Sequence, residues 1–295
     1  MEVFHSRPPS PLFLRFPDGR SLELGDRTLV MGIVNVTPDS FADGGVRLDP
    51  DVAIAGAIKM VADGADLIDI GGESTRPGAP DVPADEELRR ISPVLEGLRG
   101  RVKVPVSIDT YKAAVAERAL DLGAVIVNDI SALTYDRELA GVVARRRAAV
   151  VLMHNRGRSA DMYAQAHYEE VAGEIVRDLR ARIRDAEAAG IPRDAIIVDP
   201  GLGFAKRAEH TFEALANLSA LAALERPILC GPSRKSFLRA ALGDVPARER
   251  LWGSAAAVTA AVLLGAHIIR VHDVTEMVQV IRVADRIRVS SRCLD

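Results

Sequence analysis

Apolar runs rich in β-branched residues recur along the chain, and each closes on a polar group or a glycine. They are TLVMGIVNV (28–36), DLIDIG (66–71), VPVSID (104–109), AVIVND (124–129), AAVVLMH (148–154), AIIVD (195–199), PILCG (227–231) and AHIIRVH (266–272). None shows the strict apolar/polar alternation of a half-solvated strand, so each predicts a strand covered on both faces. The segments between them follow a different period. Asp51 to Gly64 carries Ile54, Ile58 and Val61 at spacings of four and three, and Ala84 to Leu98 carries Leu88, Ile91, Leu95 and Leu98. Tyr111 to Gly123 and Glu169 to Gly190 both end on glycine, a common helix C-terminus.

Eight strands, each followed by a helical segment, predict an α/β fold of the closed (β/α)8 barrel type, the TIM barrel. A doubly wound open sheet is the alternative. Residues 1–27 precede the first unit. There LFLRFPDGRSLEL places two short apolar runs around Pro17-Asp18-Gly19, a hairpin signal, and the expected place of this N-terminal extension is the bottom of the barrel. With no linker or low-complexity segment in view, residues 28–295 read as a single barrel domain.

Composition narrows the picture further. The 295 residues are 48% hydrophobic with a formal net charge of -3, which supplies a large core and no global basic field for nucleic acid. Cys230 and Cys293 match no metal-ligand spacing, and Cys230 sits inside an apolar run as a small hydrophobe. The N-terminus lacks the basic-then-apolar order of a secretory signal, and Ala255 to Ala266 is short of the ~20 residues that span a bilayer. The expectation is a soluble cytoplasmic protein.

The strand ends hold the chemistry. They are Asn35, Gly71 leading into Glu73-Ser74-Thr75-Arg76, Asp109, Asn128 with Asp129, Met153 with His154, Asp199, Gly231 leading into Ser233-Arg234-Lys235, and Arg270 with His272. In a barrel all eight open on one face, the face that carries active sites. Asp109 alone would read equally well as a cap for the next helix, but the whole set favours a shared cavity. Carboxylates and amides suit a flat heterocycle with an amidine-like edge. Arg76, Lys235 and Arg270, with His272, suit phosphate oxygens. Residue types alone do not name the heterocycle. Asp69, two residues before Gly71, reads as an orienting neighbour, and His154 reads as a satisfied strand-end histidine outside the site.

MGIVNVTPDSFADGG, DIGGESTRPGA, VSIDT, VNDI, DPGLGF, GPSRKSF and RVHDV follow one another in an order that resembles the dihydropteroate synthase family, from about Leu29 to Arg288. The resemblance implies a barrel enzyme, a transferase of folate biosynthesis. It would condense 6-hydroxymethyl-7,8-dihydropterin diphosphate with p-aminobenzoate to give 7,8-dihydropteroate and diphosphate, assisted by Mg²⁺. Carried over residue by residue, it implies pterin contacts from Asp109, Asn128, Met153, Asp199 and Lys235. Asn35, Thr75, Arg76, Arg270 and His272 would take the diphosphate, with Asn35 also touching Mg²⁺. Thr75, Pro77, Phe204, Lys235 and Ser236 would line the p-aminobenzoate site. Asp109, Asp199, Lys235 and Arg76 would carry catalysis. The family commonly has glycine where Ala205 stands and serine where Ala42 stands.

The implied chemistry is dissociative. Diphosphate departs once its charge is neutralised, the dihydropterin holds a cation on its methylene carbon beside a carboxylate, and the aniline nitrogen attacks. The loops Thr37 to Arg47 and Glu73 to Pro83, rich in Gly, Pro and Asp, are expected to close over the substrates. The partners are small molecules, with neither nucleic acid nor membrane, and the resemblance favours a homodimer in which the alanine-rich helix near Gly253 to Gly265 offers a packing face. The alternative function is a pterin-binding methyltransferase module, which would need no cations for a diphosphate.

Overall fold

The computed structural model describes residues 12–37, 49–74, 78–158 and 162–290. Strands β1 (Leu12–Arg15) and β2 (Ser21–Leu24) form the antiparallel hairpin expected around Pro17-Asp18-Gly19. The eight apolar runs become β3 (Leu29–Asn35), β4 (Leu67–Gly71), β5 (Val106–Asp109), β6 (Ile126–Asp129), β7 (Ala149–Met153), β8 (Ile196–Asp199), β9 (Leu229–Cys230) and β10 (Ile268–Val271). The helices are α1 (Pro50–Ala62), α2 (Ala84–Leu98), α3 (Ala113–Asp121), α4 (Leu139–Arg146), α5 (Val171–Ala188), α6 (Ala208–Ala216), the short α7 (Arg239–Leu242), α8 (Leu251–Leu263) and α9 (Val274–Ser290).

The strands pair in parallel in the order β8-β7-β6-β5-β4-β3-β10-β9. The first barrel strand therefore pairs with the last, which an open doubly wound sheet cannot do. The two ends of the sheet meet at one parallel bridge, Val198 to Ile228, next to a bond from Val198 N to Pro227 O of 2.9 Å. That bridge closes the (β/α)8 barrel.

The strands are buried throughout because helices cover them outside and side chains fill them inside. Ile68, Ile70, Ile108, Ile126, Val151 and Ile197 are all fully buried. The hairpin joins the same core through Leu14 and Leu24, both fully buried. Arg20 Nη1 donates to Lys103 O just before β5, at 2.8 Å, so the hairpin lies at the N-terminal ends of the strands. It leaves the opposite, C-terminal mouth of the barrel to the polar strand ends.

Candidate active site

Parallel pairing with little offset sets strand-end residues side by side. Asp109 is registered against Asn128, Met153 against Asp199, and Asn35 and Asp109 against Gly71. A chain of polar contacts then crosses the mouth. Asn128 Nδ2 donates to Asp69 Oδ2 at 2.9 Å, and Arg270 Nε donates to the same oxygen at 2.6 Å. Arg270 Nη2 reaches Asp109 Oδ2 at 2.7 Å. Four strands, β6, β4, β10 and β5, are tied by this one network.

The network dictates what the floor can accept. Asp69 holds the Asn128 amide with its nitrogen inward, so the Asn128 oxygen is left as an acceptor. Asp109 Oδ1 and Asp69 Oδ1 are buried with no hydrogen-bond partner among the described residues. Leaving such acceptors unpaired costs free energy, so the floor calls for N–H donors. Asp109 does not cap α3. The N–H of Lys112 is received by Thr110 Oγ1 at 3.3 Å and that of Ala113 by Asp136 Oδ2 at 2.7 Å, which leaves Asp109 to the pocket.

Charge is distributed unevenly. Burial, against the pull of Arg270, pushes the Asp109 carboxyl up to about 7. Burial also raises the Asp199 carboxyl, with Lys235 opposing. Lys235 is lowered by burial to about 8. Burial works against the Arg270 charge, but Asp69 and Asp109 outweigh it and keep the guanidinium firmly protonated.

Asp199 sits at the seam of the barrel. Its Oδ1 accepts from Gly201 N at 2.7 Å, which turns the chain sharply after β8. Gly201 has φ 66, and a Cβ there would stand 2.0 Å from His154 O, so only glycine fits. Across the seam, Lys235 Nζ donates to Leu202 O at 2.5 Å and lies 4.7 Å from the centre of the Phe204 ring. Arg234, just before it, adopts a left-handed φ of 58 and is anchored by Asp273, with Arg234 Nε 2.9 Å from Asp273 Oδ2. That anchored turn aims Lys235 inward. Ser233 Oγ lies 3.0 Å from His272 Nδ1, which orients the His272 ring.

Asp109, Asn128, Met153, Asp199, Lys235, Phe204 and Arg270 thus belong to one mouth, with Asn35 at the end of β3 and Ser236 exposed beside Lys235. Arg270, expected on a phosphate, has two of its nitrogens on carboxylates and leaves Nη1 for an anion. Thr75, Arg76, Pro77 and most of the loop from Thr37 to Arg47 lie outside the described residues. Of the adjacent pair Asn128-Asp129, Asp129 turns away. It receives Ser131 N at 2.8 Å and Leu133 N at 2.5 Å, organising the loop after β6.

His154 is satisfied elsewhere, between Lys206 Nζ at 2.8 Å and Asp178 Oδ2 at 3.2 Å. Burial and the neighbouring Lys206 lower it to about 4. Lys206 and a second buried cluster went unnoticed in the sequence. In that cluster Lys112 bridges Glu73 and Glu87, with Lys112 Nζ 2.6 Å from Glu87 Oε2. Glu73 Oε1 also receives Tyr111 OH at 3.0 Å and Val82 N at 3.3 Å, tying both ends of the loop after β4. A signal existed: Glu87 stands four residues before Ile91, on the apolar stripe of α2.

The opposite end of the barrel holds a cleft of about 600 Å³ lined by Leu22, Glu23, Arg27, Asp66 and Lys103 among others. Its Arg27 is already paired with Asp66, and its walls lack the buried unpaired acceptors of the mouth. Among the described residues no cluster of three or more His, Cys, Asp or Glu side chains could hold a metal. No helix of the described residues is long and apolar enough to cross a membrane.

The chain is similar to known proteins over most of its length. The family model described as pterin binding enzyme matches residues 31–272. A dihydropteroate synthase of Synechocystis sp. is 45% identical over 278 residues, covering 94% of this chain and 95% of its own. The Xanthomonas albilineans dihydropteroate synthase solved with 4-aminobenzoic acid superposes with a TM-score of 0.87 at 43% identity, covering 95% of this chain and 99% of its own. The same enzyme in complex with 7,8-dihydropteroate gives 0.83 at 40% identity over 93% of this chain and 98% of its own.

Proposed function

The chain belongs to the pterin-binding enzyme family, and from that premise we propose how its residues divide the reaction. The enzyme is a transferase of folate biosynthesis with dihydropteroate synthase activity. It condenses 6-hydroxymethyl-7,8-dihydropterin diphosphate with p-aminobenzoate, giving 7,8-dihydropteroate and diphosphate. The observation that carries the assignment of roles is the donor-starved floor: Asp109 Oδ1, buried and unpaired, beside an Asn128 whose nitrogen is taken by Asp69, leaving its oxygen to accept.

The pterin's ring N–H groups and exocyclic amine meet Asp199, Asn128 and Asp109, while Lys235 donates to the ring carbonyl and Met153 packs on the ring plane. The bond from the methylene carbon to the diphosphate oxygen then breaks, and its electrons leave with diphosphate. Arg76, Thr75, His272 and the remaining donor of Arg270 receive that charge. Positive charge spreading into the ring is stabilised by the Asp109 and Asp199 carboxylates. The aniline nitrogen of p-aminobenzoate, placed by Phe204, Pro77, Thr75, Lys235 and Ser236, forms the new C–N bond and loses a proton to diphosphate or solvent. No protein nucleophile is needed.

The Asn35 side-chain oxygen, a hard donor at the barrel mouth, would hold Mg²⁺ beside the diphosphate. Bound there, it would help neutralise the leaving group.

We also propose a homodimer. Helix α8 leaves Trp252 80% exposed, and on α9 the apolar residues Val280, Val283 and Ile287 recur at spacings of three and four, with Val283 62% exposed. Such a face is better covered than wet. Sedimentation equilibrium of the protein and of Trp252→Glu tests it: a monomer at micromolar concentration would refute it.

The activity itself is tested by mixing purified protein with pterin diphosphate, p-aminobenzoate and Mg²⁺ and following diphosphate release. Release dependent on p-aminobenzoate is expected. A methyltransferase module would bind pterin and release nothing.

A further inference from the structure

Lys206 ends the loop that follows β8, and only 1% of it is exposed. Its Nζ lies 2.8 Å from His154 Nδ1, 3.1 Å from Phe204 O and 3.4 Å from His154 O. The ring of His154 is set by Asp178, 3.2 Å from Nε2. With the Nε2 hydrogen directed at that carboxylate, Nδ1 presents its lone pair to Lys206. Asp178 is itself held by Arg156, Nη2 to Oδ2 at 2.9 Å, and Arg156 reaches Glu174 at 2.8 Å. The Lys206–His154 end of this relay is buried, and its side chains make no hydrogen bond to Asp69, Asp109 or Asn128, while His154 N donates to Asp199 O at 2.9 Å. The relay joins the loop after β7 to the loop after β8.

What the relay holds is Phe204. Between Phe204 and Lys206 stands Ala205, fully buried and in the left-handed region at φ 48. A residue with a Cβ pays roughly 1 kcal/mol or more there, and it stays only if its neighbours hold it. On one side, Phe204 N donates to Gly201 O at 3.0 Å. On the other, Lys206 Nζ grips Phe204 O. Between those two anchors the Phe204 ring is presented to Lys235 Nζ, 4.7 Å from its centre.

The geometry points to Lys206 as a positioning residue for the second substrate: by gripping Phe204 O and the His154 ring it holds the Phe204 ring where p-aminobenzoate packs. The inference rests on the dihydropteroate synthase reading and on Phe204 lining that subsite. It distinguishes the two substrates by degree: Lys206 makes no hydrogen bond to Asp109, Asn128 or Asp199, although its charge and that of Asp199 act on each other, whereas it grips Phe204 directly.

Lys206→Met keeps an unbranched side chain one atom shorter and removes all three hydrogen bonds. In the diphosphate-release assay, KM for p-aminobenzoate should rise roughly tenfold or more, as expected for loss of a buried hydrogen-bond anchor. KM for pterin diphosphate should change by a clearly smaller factor, reflecting only the lost charge near Asp199. A parallel pair of variants keeps the test alive if Lys206→Met does not fold. His154→Asn retains an oxygen near the place of Nδ1 and should leave the p-aminobenzoate KM close to that of the unmodified protein. His154→Leu removes the acceptor and should raise it like Lys206→Met. An unchanged p-aminobenzoate KM in folded Lys206→Met, equal losses for both substrates, or no difference between the two His154 variants would overturn the inference alone. Absence of turnover in the unmodified protein would instead overturn the activity on which it rests.

Discussion

Arg270 Nη2 lies 2.7 Å from Asp109 Oδ2, although 161 residues separate the two in the chain. Their strands are not neighbours: β3 and β4 stand between β10 and β5. The contact therefore spans the barrel mouth, and under the proposed assignment Arg270 would shape the pterin floor as well as receive phosphate.

Arg270→Ala should for that reason do two things. It leaves Asp69 and Asp109 buried without their cation, which should cost about 3 kcal/mol in a urea melt. It also removes the charge that opposes Asp109's upward shift, so the pH needed to ionise Asp109 should rise. Free pterin and pterin diphosphate should both bind more weakly. A loss confined to the diphosphate would show that Arg270 serves the phosphate alone.

The pH dependence of kcat/KM for the pterin substrate should be bell-shaped. Asp109 becomes ionised as pH passes about 7, which adds the carboxylate, and Lys235 loses its proton as pH passes about 8, which removes the donor. The acid limb should be absent in Asp109→Asn. Stability should move the other way: the folded chain holds the Asp109 proton up to about 7, whereas the unfolded chain releases it near the ordinary carboxylate value. Its contribution is thus full below the ordinary carboxylate value of about 4, declines as pH rises from there, and is lost by about 7. Melting Asp109→Asn and the unmodified protein across that window checks the slope.

Asp199→Asn should keep the fold, because an amide oxygen can still accept from Gly201 N. The charge facing the pterin is lost, and pterin affinity should fall by roughly tenfold to a hundredfold by calorimetry. Unchanged affinity would remove Asp199 from the binding floor.

Gly201→Ala is expected to be far more damaging than its size suggests. The new Cβ would meet His154 O at 2.0 Å in a left-handed backbone. A loss of more than about 2 kcal/mol in thermal or denaturant unfolding should follow. A variant as stable as the parent would mean that the turn after β8 can be rebuilt.

Much of this was readable from residue order. Apolar strands ending in Asn35, Asp109, Asn128 and Asp199 announced a barrel with a polar mouth, because a doubly covered strand has nowhere else to put a charge. The hairpin of residues 12–24 was equally plain from Pro17-Asp18-Gly19. Pairing across the barrel was not. Nothing local tells Asn128, which faces the mouth, from Asp129, which ties down its own loop. Arg270 reads as a phosphate ligand until Asp69 and Asp109 are seen beside it. Lys206 escaped notice because a lysine next to a glycine-rich turn looks solvated, and only the folded loop shows it buried against His154.

The bridge between Val198 and Ile228 is the single rung that closes the sheet among the described residues, and the two groups proposed to hold the pterin there flank it: Asp199 follows Val198, and Lys235 lies beyond β9. A pterin gripped, as proposed, by Asp199 from one side and Lys235 from the other would act as a rivet across the thinnest-stitched line of the barrel. Occupancy of the active site is then also a mechanical event, and it should slow amide hydrogen exchange at Val198 more than at strands such as β4, which are laddered on both sides.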